Sequence, residues 1–575
     1  MASDTKTPVV LCWHMHQPSY QDMNTGQFLF PWVYLHTIKD YSDMAAHLEK
    51  ESGARAVVNF APILLEQIET YLVQIEQWRY GAGEIGDPLL AALVADELPE
   101  AGSPAFLNLM EKCLRANPER IIRRFPAYAR LADIADVYQQ KPELQRYISN
   151  RFLSDLLVWY HLGWMGETIR RKNSCVQSLQ EKAYDFTMGD RRALLDVIFE
   201  VLSGIGPRYR HLAQKGQVEL SVSPYTHAML PLLLELESAR EAMPEIALPD
   251  HSHYPGGEAR AGWQLEQAKA VFQRFFGIEP VGCWASEGGL SQATLTLLSD
   301  QEFRWTASGD SVIHNSLKQA REQHPDLPDT GLHQPYTFGE SAVSVFFRDD
   351  GLSDLIGFTY ADWHAEDAVG DLVNHMETIA SEARGKSSPV ISVIMDGENA
   401  WEYYPENGYH FLDELYRVLA HHPELELTTY SDLVARPMAE PARLPHLVAG
   451  SWIYGTFSTW IGDPDKNRAW DLLCEAKIHY DRMMENGNLS AERKESARKQ
   501  LAICEGSDWF WWFGDYNPAQ IVSDFEHLYR RHLVNLYEKI DCPAPPSVFQ
   551  QLSQGSGEPA RGGAMRPGHE ADKPA

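Results

Sequence analysis

Paired cysteines are what this sequence most plainly lacks. Its seven Cys (Cys12, Cys113, Cys175, Cys283, Cys474, Cys504 and Cys542) are odd in number and widely scattered. No C-x-x-C occurs, which excludes a zinc ribbon and a dithiol redox motif. Reduced thiols are the simplest expectation, and they suit the cytoplasm. The opening MASDTKTPVVLCWH has no long apolar core behind a basic patch, so no secretory signal is expected. No apolar run approaches the roughly 20 residues of a transmembrane helix. Positive charge is also short: 50 basic against 80 acidic residues leave a net charge of −30. That balance keeps a protein in solution and argues against nucleic acid or an anionic membrane as partner. No internal repeat is visible.

What is present is ample for folding. Hydrophobic residues make up 44% of the 575, and the length allows several domains or one large elaborated one. Short β-branched or apolar runs read as strands at Pro8–Trp13, Arg55–Phe60, Val218–Val222, Pro280–Ala285, Phe303–Ala307, Ala342–Phe347, Val390–Met395 and Leu425–Tyr430. Helical spacing lies between most of them, at Gln264–Phe276, Ser291–Leu298 and Leu372–Ala383. A block of about 150 residues, 64–215, is helical throughout and reads as an insertion, with Gly204-Ile205-Gly206-Pro207 breaking one helix. Alternation of strand and helix predicts an α/β fold with a parallel sheet closed into a barrel of about seven or eight strands. After Pro441 the texture changes to helices at 466–485, 491–504 and 521–540. Residues 1–440 are therefore expected to form the barrel with its insertion, 441–545 a helical domain, and 546–575, rich in Gly and Pro, a disordered tail.

Chemistry-bearing residues gather where the strands end. Val390–Met395 stops in Asp396-Gly397-Glu398-Asn399, followed by Trp401, Tyr403 and Tyr404. Carboxylates at the end of a buried strand are costly unless paired, hydrated or working. Beside flat aromatic rings, they are what a glycosidase needs: an acid, a base or nucleophile, and a platform. His14 and His16, at i and i+2, point the same way. With a carboxylate they could bind zinc, they could equally bond a sugar hydroxyl, or they could be structural; the nearest acid in sequence is Asp22. Glu287 precedes Gly288-Gly289 and reads either as a ligand-facing acid or as a first-turn helix acid. Glu219 and His227 read more readily as structural. Asp508 opens a run of five aromatics, Trp509 to Phe513, that fits a substrate loop or a domain interface equally well. The sixteen Trp and 25 Tyr exceed what a core alone needs, and six of those Trp lie between Trp452 and Trp512.

Taken in order, His14–Pro18 (HMHQP), Gly216–Leu230, Gly282–Glu287 (GCWASE), Asp396–Asn399 (DGEN) and the Trp-rich box at Asp508 resemble the five motifs of glycoside hydrolase family 57. The stretches Ala449–Trp470 and Asp524–Tyr537 look most like its amylopullulanase and α-amylase branch. One departure is Ala285-Ser286, where that box often has a Pro. The resemblance implies a distorted (β/α)7 barrel with a helical C-terminal domain completing the cleft. It implies a retaining enzyme acting on α-glucans or maltooligosaccharides, with Glu287 as nucleophile and Asp396 as general acid/base. His14, His16, Glu219, His227, Trp284, Glu398, Asp508 and Trp509 would line the substrate cleft, with Trp401 or Tyr403 as the stacking platform. No cofactor and no metal are expected. The alternatives are a 4-α-glucanotransferase or branching enzyme with the same site, a non-catalytic glucan-binding protein, and a metal-dependent sugar hydrolase.

Overall fold

A computed structural model describes residues 6–327, 331–383, 388–486 and 488–557. Strand β1 (Thr7–Met15) is buried along nearly its whole length. It lies at the centre of a parallel sheet with β2 (Ala56–Phe60), β3 (Val218–Val222), β7 (Ile391–Asp396) and the short β8 (Leu425–Leu427). Their β-branched, apolar composition suits strands covered on both faces by helices. A second sheet holds β4 (Trp305–Gly309), β5 (Tyr336–Phe338), β6 (Ser344–Arg348) and β9 (Ala442–Leu444).

The two sheets are joined on both sides. From β3, Val222 N–H donates to Gly282 O and Trp284 N–H to Val222 O at 3.0 Å, while Cys283 N–H donates to Trp305 O of β4 at 3.1 Å. From β6, Asp349 N–H donates to Ser392 O of β7 at 2.8 Å, and Arg348 Nε donates to Ile394 O at 2.8 Å. Residues 280–285, expected as a strand, therefore pair only through isolated bridges at Gly282 and Cys283. Gly282 is the cause: a Cβ there would lie 1.8 Å from the Trp305 ring, so the indole crosses the backbone where a side chain would stand.

Between β2 and β3 the expected helical block is present. Pro stands in the first turn of the helices Pro62–Arg79, Pro88–Val94, Pro104–Lys112 and Pro126–Gln140, where its missing N–H costs nothing. Thr187 and Asp190 form a capping box that starts a 27-residue helix, Met188–Gln214. That helix runs through Pro207, contrary to the expected break. The carbonyl Pro207 leaves unbonded belongs to Ser203, an exposed residue that water can reach, and Gly206 packs flat against Phe275.

Other differences are local. Leu425–Tyr430 yields only three strand residues, because Thr429 caps the next helix by accepting from Asp432 N–H and draws Tyr430 into it. β5 and β9, three residues each, were not foreseen. Beyond Pro546, the described part of the expected tail is ordered: Leu552 N–H donates to Glu526 Oε1 at 2.8 Å, and Ser553 Oγ accepts from Gly514 N–H at 2.9 Å. Residues 558–575 lie outside the described residues. All seven cysteines are unpaired. Among the described residues, no helix is long and apolar enough to cross a membrane.

The C-terminal helices Pro464–Glu485, Ala491–Cys504 and Ala519–Lys539 pack together and are stitched to the helix Gly257–Phe276 and the loop before it. The stitch is a buried carboxylate. Glu505 accepts from Arg260 Nε at 2.6 Å, from the Tyr254 hydroxyl at 2.7 Å and from Gln264 Nε2 at 2.8 Å. With these donors its charge is compensated.

Gly282→Ala tests the junction between the sheets. The added methyl must displace Trp305, and overpacking of this kind costs about 1–3 kcal/mol. A urea-denaturation midpoint equal to that of the parent would refute the close approach.

Candidate active site

The register of β1 against β7 builds the site. His14 lies opposite Asp396, and Gly397 N–H donates to His14 O at 2.7 Å. Across β1 the same level continues through Asn59 of β2 and Ser221 of β3. Here a polar row is linked by hydrogen bonds: His14 Nδ1 to Asn59 Oδ1 at 2.6 Å, Asn59 Nδ2 to Ser221 Oγ at 3.1 Å, Ser223 Oγ to Asn59 Oδ1 at 2.9 Å. Gly397 has no freedom to change, since a Cβ would meet Met15 Sδ at 2.1 Å.

Above this row opens a cavity of about 790 Å³. Glu287 enters it from the turn Ser286–Gly288, where its φ of 60° is left-handed. His227, also at φ 60°, enters from the loop after β3. Two non-glycine residues held this way beside one cavity store strain of the kind found at functional sites. Glu287 Oε1 accepts from Ser507 Oγ at 3.0 Å and Oε2 from Trp452 Nε1 at 3.2 Å. Burial, with the Asp508 and Asp396 carboxylates nearby, pushes the Glu287 carboxyl up to about 8. Burial likewise raises Asp396, against the bond its Oδ2 accepts from Asn399 Nδ2 at 2.8 Å. Glu398 is held by Gln17 Nε2, Tyr41 OH and His16 N–H, and burial beside Asp396 lifts it well above the usual carboxylate range.

The three histidines form a stack. His16 lies 4.0 Å from His227 and 5.7 Å from His14 between ring centroids, with planes 26° and 19° apart. Burial draws His14 down to about 3 and His227 well below its ordinary value, so both are neutral at physiological pH. His16 Nε2 is bonded to Asp508 at 2.9 Å, and His227 Nδ1 to Ser507 Oγ at 2.9 Å. His14 Nε2, His16 Nδ1, His227 Nε2 and Glu398 Oε2 are buried and have no hydrogen-bond partner among the described residues.

A family model described as "Glycosyl hydrolase family 57" matches residues 10–444. The chain belongs to glycosyl hydrolase family 57. No curated protein sequence matches it significantly. Among solved structures it is similar to a GH57-type branching enzyme from Pyrococcus horikoshii, at 15% identity and a TM-score of 0.57, over 99% of this chain and 100% of that one. It is also similar to a GH57 branching enzyme from Thermococcus kodakaraensis, at 15% identity and TM-score 0.54, over 93% and 89%. A third is the α-amylase AmyC from Thermotoga maritima, at 14% identity and TM-score 0.55, over 93% and 94%. At these identities the likeness concerns the fold.

Of the residues expected at the site of this family-57 chain, His14, His16, His227, Glu287, Asp396, Glu398, Tyr403 and Asp508 line the cavity. Four do not. Glu219 lies opposite Val57, one two-residue step from the Ser221 level, so it shares that face but sits beneath the cavity and does not line it. Its carboxylate instead caps the helix Tyr430–Ala435, accepting from Ser431 N–H at 2.8 Å, from the Ser431 hydroxyl and from Trp305 Nε1 at 2.6 Å. Trp284 is fully buried beneath the site, edge-on to Trp452. Trp401 is a core residue, its Nε1 donating to Gly397 O and its ring packed against Trp13. Of the two candidate platforms, only Tyr403 therefore lines the cavity. Trp509 donates to Ile503 O at 2.8 Å and packs against Tyr529 and His532.

The aromatic walls come from residues not singled out: Trp32, Trp164, Trp452, Trp511 and Trp512. The last two were within reach of the sequence. Ser507–Trp512 is one helical segment, so Asp508, Trp511 and Trp512, at i, i+3 and i+4, share a face while Trp509 and Phe510 take the other.

One nitrogen each of His16 and His227 and an oxygen of Asp508 lie within 4.8 Å of one another. The acid that the H-x-H pair lacked nearby in sequence is thus Asp508, while Asp22 bonds Arg531 and Asn535. Stacked, near-parallel rings send their lone pairs side by side and not to one point, so the set suits hydrogen bonding to hydroxyls better than tetrahedral coordination.

Glu219→Gln puts an amide where two donors converge. We expect a stability loss of about 1–3 kcal/mol with turnover kept, read by thermal denaturation beside activity. A folded variant slowed on the order of 100-fold or more would return Glu219 to the catalytic machinery.

Proposed function

We propose that this chain is a retaining α-glucan-active enzyme that cleaves α-glucosidic bonds of starch- or glycogen-type glucans and maltooligosaccharides by double displacement. The observation that carries the reading is the set of buried, unpartnered polar atoms on His14, His16, His227 and Glu398, beside two carboxylic acids and under aromatic walls. Buried polar atoms require partners, and sugar hydroxyls supply them without charge. The aromatic rings match the apolar faces of the pyranose.

In this reading the strand pairings close into a distorted (β/α)7 barrel, formed with its insertion by 1–440. The segment 441–545 is a helical domain that completes the cleft with Trp452, Ser507 and Asp508. The unpaired thiols fit a reducing, cytoplasmic setting.

Glu287, once ionised, attacks the anomeric carbon, and the C–O bond to the leaving sugar breaks as Asp396 donates its proton to that oxygen. Asp396 then takes a proton from the incoming water, whose oxygen replaces Glu287 at the anomeric carbon. Burial keeps Asp396 protonated to higher pH, as the first step needs. The Ser507 hydroxyl and Trp452 indole favour the charged form of Glu287 and oppose its burial.

Transfer to a second sugar, as in a 4-α-glucanotransferase or branching enzyme, is the second reading. It is favoured by the five tryptophans around the cleft, which offer an acceptor sugar more surface than water needs.

The test is incubation with maltoheptaose, with products resolved by length over time. Shorter sugars alone mean hydrolysis, and a ladder of shorter and longer sugars means transfer. No change defeats the α-glucan reading. Asp396→Asn is expected to lower turnover by about 10²–10⁴-fold, and a Glu287→Gln enzyme with normal turnover would sink the assignment.

The pH dependence gives a second check. A hydroxyl bonded to a carboxylate is worth roughly 1.5–3 kcal/mol, and one pKa unit about 1.4 kcal/mol. Removing the donor in Ser507→Ala disfavours the charged form and raises the Glu287 pKa. The kcat/KM limb near pH 8 in the parent should therefore move alkaline by about one to two units. A limb that stays fixed, or moves acid, assigns it to another group.

A further inference from the structure

The insertion does more than decorate the barrel: one of its turns lies across the cleft. After the helix Pro104–Lys112, residues Arg115, Ala116, Asn117 and Pro118 all line the cavity. At one end Arg115 Nη1 donates to Asp524 Oδ2 of the C-terminal helix Ala519–Lys539 at 2.9 Å. At the other end Asn117 Nδ2 donates to the Glu402 carbonyl, in the loop after β7, at 3.3 Å. Asp524 and Glu402 line the cavity as well. The turn therefore runs from one wall of the cleft to the other.

The two ends are held differently. Asn117 is fixed twice over, since its Oδ1 also accepts from Glu119 and Arg120 N–H and caps the turn Pro118–Ile122. Just before it, the Cys113 carbonyl accepts from the Tyr128 hydroxyl at 2.5 Å. The Arg115–Asp524 pair, by contrast, is 33% and 25% exposed. Exposed pairs are weak and screened by salt. Each partner also has a second option on its own element: Glu111 lies 3.8 Å from Arg115, and Gln520 Nε2 donates to Asp524 Oδ1 at 3.1 Å. Both neighbours are in place while the pair is made, so if it opened, each partner would keep a polar contact on its own element.

We propose that Arg115–Pro118 is a latched bar across the cleft, with Arg115–Asp524 as its latch, and that it limits the length of glucan chain the site accepts. This rests on the α-glucan reading above. A short oligosaccharide fits on one side of the bar. A long chain passes only when the pair is released, and the freed guanidinium and carboxylate can then bond sugar hydroxyls. The bar acts on chain length whether water or a sugar takes the glycosyl unit.

The test compares kcat/KM for long and short end-labelled maltooligosaccharides in the full-length protein. Arg115→Ala and Asp524→Ala should each raise the long-to-short ratio by about two- to fivefold, the range open to an exposed pair. The exchange Arg115→Asp with Asp524→Arg should return the ratio towards that of the parent. Salt near 1 M, where screening extends only about 3 Å, should move the parent towards the single variants and leave those variants unchanged. A ratio equal in parent and single variants overturns the latch, as does an exchange that behaves like the singles. Absence of cleavage at every length overturns the α-glucan reading itself, and the bar's role with it.

Discussion

Everything at the site depends on the parallel pairing of β1 with β7. That ladder sets His14 against Asp396 and ties the following turn by the Gly397 N–H to His14 carbonyl bond. A one-residue slip would turn every side chain of β7 to the other face. It would turn the Asp396 carboxyl away from the cleft. The buried apolar faces of both strands forbid the slip, so core packing and active-site geometry are one constraint. The contact between Gly397 and Met15 fixes the next step of the chain in the same way.

The second constraint is the seam between the region after β3 and the C-terminal helices. Glu505, with Arg260, Tyr254 and Gln264, is a buried charge whose donors all come from the region after β3. Two residues further on, Ser507 N–H donates to His227 O at 3.0 Å. The seam thus carries Ser507 to Glu287 and Asp508 to His16. Breaking a buried pair on one side leaves the other charge unpaired, at a cost of about 3–5 kcal/mol, which makes the seam a strong device for holding two distant segments in register.

Much of the fold was legible because burial on both faces leaves a plain mark. β3 stands where it was expected, and β1 and β7 differ from expectation only at their ends. β5 and β9 carried no such mark, since three residues do not make a period. At the site, strand ends could be read as the place for chemistry, and His14, His16 and Asp396 stand there. Glu219 could not be placed. Alternation tells which face a strand residue takes but not its height along the sheet, and Glu219 is on the right face at the wrong level. Trp401 and Trp509 mark another limit: a tryptophan stacked on sugar and one packed in a core leave the same letter in the sequence. Only a helical reading of Ser507–Trp512 separates Trp511 and Trp512 from Trp509.

The bond between His16 and Asp508 joins residues 492 positions apart. At roughly 5–20 residues per second of synthesis, His16 waits on the order of half a minute to two minutes for its partner. Through that interval the half-built cleft exposes its imidazoles and its acids to water, with one wall missing. An intermediate of this kind has a large wet concavity that still lacks Ser507 and Asp508. The cleft is therefore complete only when the last helices dock, and the activity proposed for it would arrive together with the finished fold.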